Sequence, residues 1–194
     1  MRISISSHST QPWKVHQLLN DFRIEDAWQL PISIKESDSI DDVLSTFVLA
    51  IGQIGKTGLA GQLFKLRNWL GRVFHWEEEA LPRETVKPGL IKNRYAKLEK
   101  IAPENLPKGG FDHFNLVYQL PTESLLEIEN KTVQAAVHFG KVKSENNYSA
   151  QMTIYVKPNG YFGQLYMLII KPFRHFIVYP TLLKAVDKAW RCTH

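Results

Sequence analysis

The sequence predicts an α+β domain, and three observations carry that prediction. In the second half, runs rich in Val, Ile, Tyr, Phe and Thr follow one another at 114–120, 124–129, 132–142, 149–157 and 161–170. Their connections are too short for parallel crossovers, so they read as an antiparallel meander. The first half instead repeats its apolar residues at helical spacing. Finally, 160–191, GYFGQLYMLIIKPFRHFIVYPTLLKAVDKAWR, reads as a strand that turns at a proline-marked corner into an amphipathic C-terminal helix lying back on its own sheet.

Taken in order, 1–21 is a polar, irregular N-terminal extension in which Trp13, Leu18 and Leu19 are the residues suited to docking, and 22–194 is one domain. The segment 22–34, with Pro31 near its end, is a first strand suited to a sheet edge. Ser39 with Asp42 three residues on resembles a capping box, and apolar residues at 40, 43, 44, 47, 48 and 51 make one helical face. The glycines of 52–61 form an elbow to a second helix, with apolar positions 59, 63, 66, 70, 73 and 74. From 77 to 110 four prolines (82, 88, 103, 107) mark a loop, interrupted by a short helix at 94–101.

In the meander, Val133, Ala135, Val137 and Phe139 alternate with polar or small residues, as do Met152, Ile154 and Val156, giving the sheet one apolar face. The run 165–170 is bounded by Gly163 and by Lys171-Pro172, which suits a strand buried on both faces or facing a cavity. Beyond it Phe176, Tyr179, Leu183, Val186 and Trp190 form the helical stripe that covers the sheet. Pro180, two turns into that helix, would kink it and open a gap beneath.

At 194 residues a full core is possible without staples. The single Cys192 forms no internal disulfide, the N-terminus lacks a secretory pattern, and no segment has the ~18 uncharged apolar residues of a membrane span, so a cytoplasmic protein is expected. Net charge is +5; from Lys131 onward nine Lys and Arg stand against Glu145 and Asp187. These cations are spaced singly rather than clustered among aromatics, which disfavours nucleic acid as a partner.

Ala50 to Thr57, AIGQIGKT, approximates a phosphate loop, but it ends a capped helical pattern rather than following a strand, so a helix-to-helix elbow is preferred. Seven histidines show no pair at helical metal-ligand spacing, and no metal or cofactor is expected. Asp112 and His113 sit in a glycine-flanked loop that is a lid or, preferentially, a tight lead-in to a strand. Glu127 and Glu129 share a strand face suited to cross-strand pairing. His138 lies opposite Val137 and Phe139, at the surface if that face is outside and in a cavity if the sheet curls. Arg174 and His175 follow the corner and either bind an anionic group or solvate the helix start. The many aromatics are mostly core, yet aromatic walls with a few polar groups also suit a medium-sized apolar ligand.

Four stretches carry a family resemblance: 26–32 (DAWQLPI), 63–74 (LFKLRNWLGRVF), 124–140 (SLLEIENKTVQAAVHFG) and 166–190. Together they resemble a family of uncharacterised bacterial proteins, a domain of unknown function found alone or appended to NAD(P)-binding oxidoreductase-like domains. In 124–140 many members carry an Asp, His and Arg that this chain largely lacks. The family is in turn similar to the START and polyketide-cyclase (SRPBCC) superfamily. That similarity implies a helix-grip fold: a curved antiparallel sheet around a long C-terminal helix, with a ligand cavity between. No glycine-rich dinucleotide fingerprint occurs, so an oxidoreductase would be a separate partner. The expected function is binding of a small apolar or amphipathic molecule, with Trp28, Tyr118, His138, Tyr166, Arg174, His175, Tyr179 and Leu183 as cavity wall. A cyclase, hydratase or isomerase using His138, Tyr118, Tyr166 or Arg174, and an interaction module with a basic C-terminal half, are the alternatives.

Overall fold

The computed structural model describes residues 1–56, 89–111, 114–128, 133–144 and 147–193. The second helix expected at 59–74, the prolines at 82 and 88, Thr57, Asp112, His113 and Glu129 lie outside the described residues.

The described chain is mixed α+β. Two short helices, α1 (Ile5–Ser9) and α2 (Val15–Leu18), precede strand β1 (Arg23–Gln29) and helix α3 (Ile40–Lys56). Helix α4 (Leu90–Glu99) leads to β2 (Gly110–Phe111), β3 (Phe114–Gln119), β4 (Glu123–Ile128), β5 (Val133–Ser144) and β6 (Asn147–Pro158). The sheet runs β1-β6-β5-β4-β3-β2, with every neighbouring pair antiparallel. The first strand is therefore paired to the last.

Helix α3 starts where the capping box predicts. The Asp42 carboxylate accepts from the Ser39 amide at 2.7 Å and from its hydroxyl at 2.8 Å, and Ser39 Oγ accepts from the Asp42 amide at 3.2 Å. Because α3 continues to Lys56, Ala50 to Lys56 is helix, with no loop of amides to cradle a phosphate.

The expected strand at 161–170 is not a strand. Helix α5 (Gly160–Phe173) begins there after Asn159, whose extended backbone and carbonyl, bonded to the Gly163 amide at 3.1 Å, start the first turn. A six-residue apolar run is ambiguous between strand and buried helix, and Leu and Met favour the helix when a structured neighbour can be packed. Burial settles its period: Gly163 and Met167 are buried and Tyr166 and Ile170 half-buried, at spacings of three and four, against Val133, Ala135 and Val156. Nor is Pro172 a corner; it sits inside α5. The helix continues through a π turn (Arg174–Val178) into α6 (Tyr179–Thr193), so the long C-terminal helix starts twelve residues earlier than Pro172 implies. The helix widens at that π turn, which lies between Pro172 and Pro180.

Both sheet faces are covered. On one, Leu126, Val137, Phe139, Ala150 and Met152 pack against α3 (Ile40, Val43, Phe47, Ala50) and α6 (Tyr179, Leu182, Val186, Trp190). On the other, Tyr118, Leu125, Ala136 and Tyr155 pack against Ile91 and Tyr95 of α4 and against Trp13, Val15, Leu18, Leu19 and Phe22. The N-terminal segment is thus part of the core. Gly140 makes this fit possible, since a Cβ there would overlap the Trp13 ring.

Candidate functional site

Two backbone irregularities face each other on the α6 side of the sheet. Strand β1 shifts register between Ile24 and Asp26, a bulge at Glu25. In a regular strand neighbouring side chains point to opposite faces, and a bulge re-aims one of them. Here both carboxylates reach the same guanidinium: Arg174 Nη2 lies 2.6 Å from Glu25 Oε1 and 3.4 Å from Asp26 Oδ2. The π turn supplies the other half. The Tyr179 amide bonds the Arg174 carbonyl, an i→i+5 closure that places these two side chains on one side of the helix, where an α-helical turn would splay them.

Asp26 is the centre of the cluster and is fully buried. Tyr179 Oη donates to its Oδ2 at 2.7 Å, while His175 Nε2 lies 3.2 Å and Arg2 Nη2 3.5 Å from its Oδ1. Arg23 holds the other oxygen of Glu25 at 3.0 Å. The Trp28 ring stands 5.0 Å from that of Tyr179 and 6.2 Å from that of His175. Burial, and after it the Asp26 carboxylate, push the Tyr179 phenol well above its ordinary range, so it remains a donor. Four solvent-inaccessible atoms here have no hydrogen-bond partner: Trp28 Nε1, Arg174 Nε, His175 Nε2 and Asp26 Oδ1. The last two are within ion-pair distance of each other, but misaligned for a hydrogen bond.

A second polar cluster lies on the opposite sheet face, under the N-terminal segment. Glu123 accepts from Tyr118 Oη (2.8 Å) and the Lys14 amide (2.7 Å), and its Oε2 is 3.0 Å from His138 Nε2. His8 Nε2 is 2.7 Å from Tyr155 Oη and its Nδ1 is 3.0 Å from Thr153 Oγ1; His16 Nδ1 is 3.2 Å from the same Tyr155 Oη. Burial, helped by the nearby His138 and His16, drops His8 to a pKa of about 3, and burial also lowers His138. Burial opposes ionisation of Glu123, but its hydrogen bonds from His138, the Lys14 amide and Tyr118 prevail and hold it below the usual carboxylate range.

The eight residues expected to form one wall therefore divide. Trp28, Arg174, His175 and Tyr179 converge around Asp26. Tyr166 packs with Met167 on the same sheet face, and Leu183 joins the core between sheet and α6. Tyr118 and His138 converge instead on Glu123, across the sheet; His138 is buried because residues 1–22 roof its face. Sequence reasoning missed Glu25, Asp26 and Glu123. Neither Asp26 nor Glu123 carried a signal: Asp26 stands in a strand that also holds Arg23, Glu25 and Gln29, and Glu123 opens β4 next to a turn.

Two surface clefts, of about 290 and 410 Å³, lie at the β3–β4 turn against the start of α3 and beside Pro31 and Trp190. Neither is lined by the eight residues. Among the described residues no three His, Cys, Asp or Glu side chains are gathered to hold a metal ion.

A family model described as a protein of unknown function (DUF2867) matches residues 18–181. No curated protein and no solved structure matches the chain.

Proposed function

The chain belongs to the DUF2867 family of proteins of unknown function, and from that premise we propose that it binds a small amphipathic molecule between the sheet and the α5–α6 helix, without obligatory chemistry. The ligand's polar group meets Trp28, Arg174, His175 and Asp26, and its apolar part lies towards Tyr166, Tyr179 and Leu183. One observation carries this reading: buried donors on Trp28 and Arg174 that make no hydrogen bond belong to the same cluster as an Asp26 oxygen that accepts none, although His175 and Arg2 stand within ion-pair distance of it. A buried polar group left unmatched costs about 1–3 kcal/mol, so several in one place call for a partner that supplies both donor and acceptor. Because these atoms are closed off, admission of the ligand involves movement of the π turn. An antiparallel sheet whose first and last strands are neighbours, packed by one long C-terminal helix, supports a helix-grip (START-like) architecture for the site.

Native mass spectrometry of the purified protein tests the proposal. A co-purifying small molecule is expected in the wild type and is lost in Trp28→Phe, which keeps the ring but removes the donor, and in Arg174→Ala. An adduct unchanged by both substitutions overturns the reading. So does a wild type that carries no adduct and gains no thermal stability from amphipathic carboxylates or amides.

A second reading, an acid–base enzyme of the cyclase, hydratase or isomerase kind, is favoured by one contact, His175 Nε2 to Asp26 Oδ1 at 3.2 Å. A carboxylate within this distance would orient an imidazole for proton transfer once a small rotation of the ring aligned the two for a hydrogen bond. His175→Gln would then abolish turnover of a bound molecule while leaving its binding intact; retained turnover removes this alternative.

A further inference from the structure

The inward side of α5 is accounted for by Gly163 and Met167, but its outward side is not. Tyr161 (89 % exposed), Leu165 (43 %), Leu168 (67 %) and Phe176 (81 %) all face solvent, as does Pro172. They follow one another at steps of four, three, four and four, which is a single helical stripe carried through the π turn. At 1.5 Å per residue it is about 22 Å long. An isolated exposed Leu needs no explanation, whereas a contiguous row of Leu, Phe and Tyr marks an interaction surface.

The charges around the stripe identify its partner. Between 160 and 186 there is no Asp or Glu, while Lys171 is exposed beside Pro172 and Lys184 is exposed further along. The next acid, Asp187, is paired with Arg191, and the two carboxylates near the π turn, Glu25 and Asp26, are engaged by Arg174. A second copy of this chain docked through this stripe about a two-fold axis would set the cations of 160–186 against their own kind, and that stretch carries no acid to separate them. A bilayer with anionic headgroups supplies both the apolar layer and the counter-charge, and aromatic and leucine side chains suit that interface. No helix of the described residues is long and apolar enough to cross a membrane, so the contact is with its surface.

We infer that the outward stripe of α5 and the π turn is a docking surface for an anionic lipid bilayer, with Tyr161, Leu165, Leu168 and Phe176 entering the interface and Lys171 meeting headgroups. The inference stands apart from the ligand reading, since none of these side chains belongs to the Asp26 cluster.

Vesicle flotation of the full chain decides it. The protein is expected to float with phosphatidylcholine–phosphatidylglycerol vesicles, far less with phosphatidylcholine alone, and less at high salt. The double variant Leu168→Glu/Phe176→Glu should lower the bound fraction about tenfold or more, because two carboxylates would face the anionic interface. Its melting temperature should stay unchanged, because both side chains are exposed. Absence of flotation on anionic vesicles, equal flotation on neutral ones, or a double variant that floats like the wild type overturns the inference. A concentration-dependent dimer abolished by the double variant also overturns it, and assigns the face to a second copy.

Discussion

At the scale of the residue, the chain spends specific side chains on satisfying charges it has taken out of water. Asp26 is the clearest case: its Oδ2 depends on the Tyr179 hydroxyl at 2.7 Å, with Arg174 further away at 3.4 Å. Tyr179→Phe keeps the ring and removes the donor, and is expected to cost about 1–3 kcal/mol in urea unfolding. No loss of stability would mean that the guanidinium alone holds the carboxylate. Gly140 shows the complementary economy, a missing side chain that lets the Trp13 indole lie on β5. Gly140→Ala is expected to cost about 1–3 kcal/mol in the wild type and little in a Trp13→Ala background, a double-mutant cycle that isolates the contact. None of this was legible in the sequence. Asp26 and Glu25 read as the polar side of an edge strand, because the bulge that turns both towards Arg174 is a matter of pairing with β6 rather than of local pattern.

At the scale of the element, the C-terminal helix explains both what the sequence disclosed and what it hid. Periodicity predicted a stripe at 176, 179, 183, 186 and 190, and Tyr179, Val186 and Trp190 are buried in the core, with Leu183 packed against it. Phe176 falls out of that face and is exposed. The π turn inserts a residue between the two helical segments, so the pattern that is correct for α6 does not extend back into α5. The strand expected at 161–170 failed for a related reason: six apolar residues have too few periods to separate two from 3.6, and Pro172 looked like a boundary although it lies within helix. Deleting Ile177 should convert the π turn to α-helical spacing, rotating Arg174 relative to Tyr179. Circular dichroism should then show helix content retained while the melting temperature falls, because both residues cannot reach Asp26 together. An unchanged melting temperature would separate the π turn from the alignment of the cluster.

At the scale of the whole molecule, the sheet is covered on both faces, and the two covers are held by different chemistry. The sequence disclosed one cover, because Val137, Phe139 and Met152 alternate plainly and demand a helix. It concealed the other, because the face of His138 carries Glu123, Thr153 and Tyr155, residues that look solvent-exposed until the segment bearing His8, Trp13 and His16 is laid across them. That cover responds to acid. His8 is lowered from its ordinary value of 6.5 to about 3 and His138 is also lowered, so the folded state resists protons that the unfolded chain accepts. Their contribution is complete above pH ~6.5 and is lost as pH falls towards the folded-state values. Glu123 and Asp21, both held below the carboxylate range, add the same sign at lower pH: the network around Glu123 weakens on protonation, as does the Asp21 pairing with Arg94 and Lys157. Each fully titrating group contributes a slope of at most about 1.4 kcal/mol per pH unit. Stability measured between pH 7 and 4 should therefore fall, with amide exchange rising first in residues 1–22, while α3 and α6, which pack on the opposite face, remain protected. His8→Gln should remove about one proton from that dependence between pH 6.5 and 4. If the slope is the same in the variant, or if α6 loses protection together with residues 1–22, the two covers do not separate and the buried histidines are not the acid-sensitive joint between them.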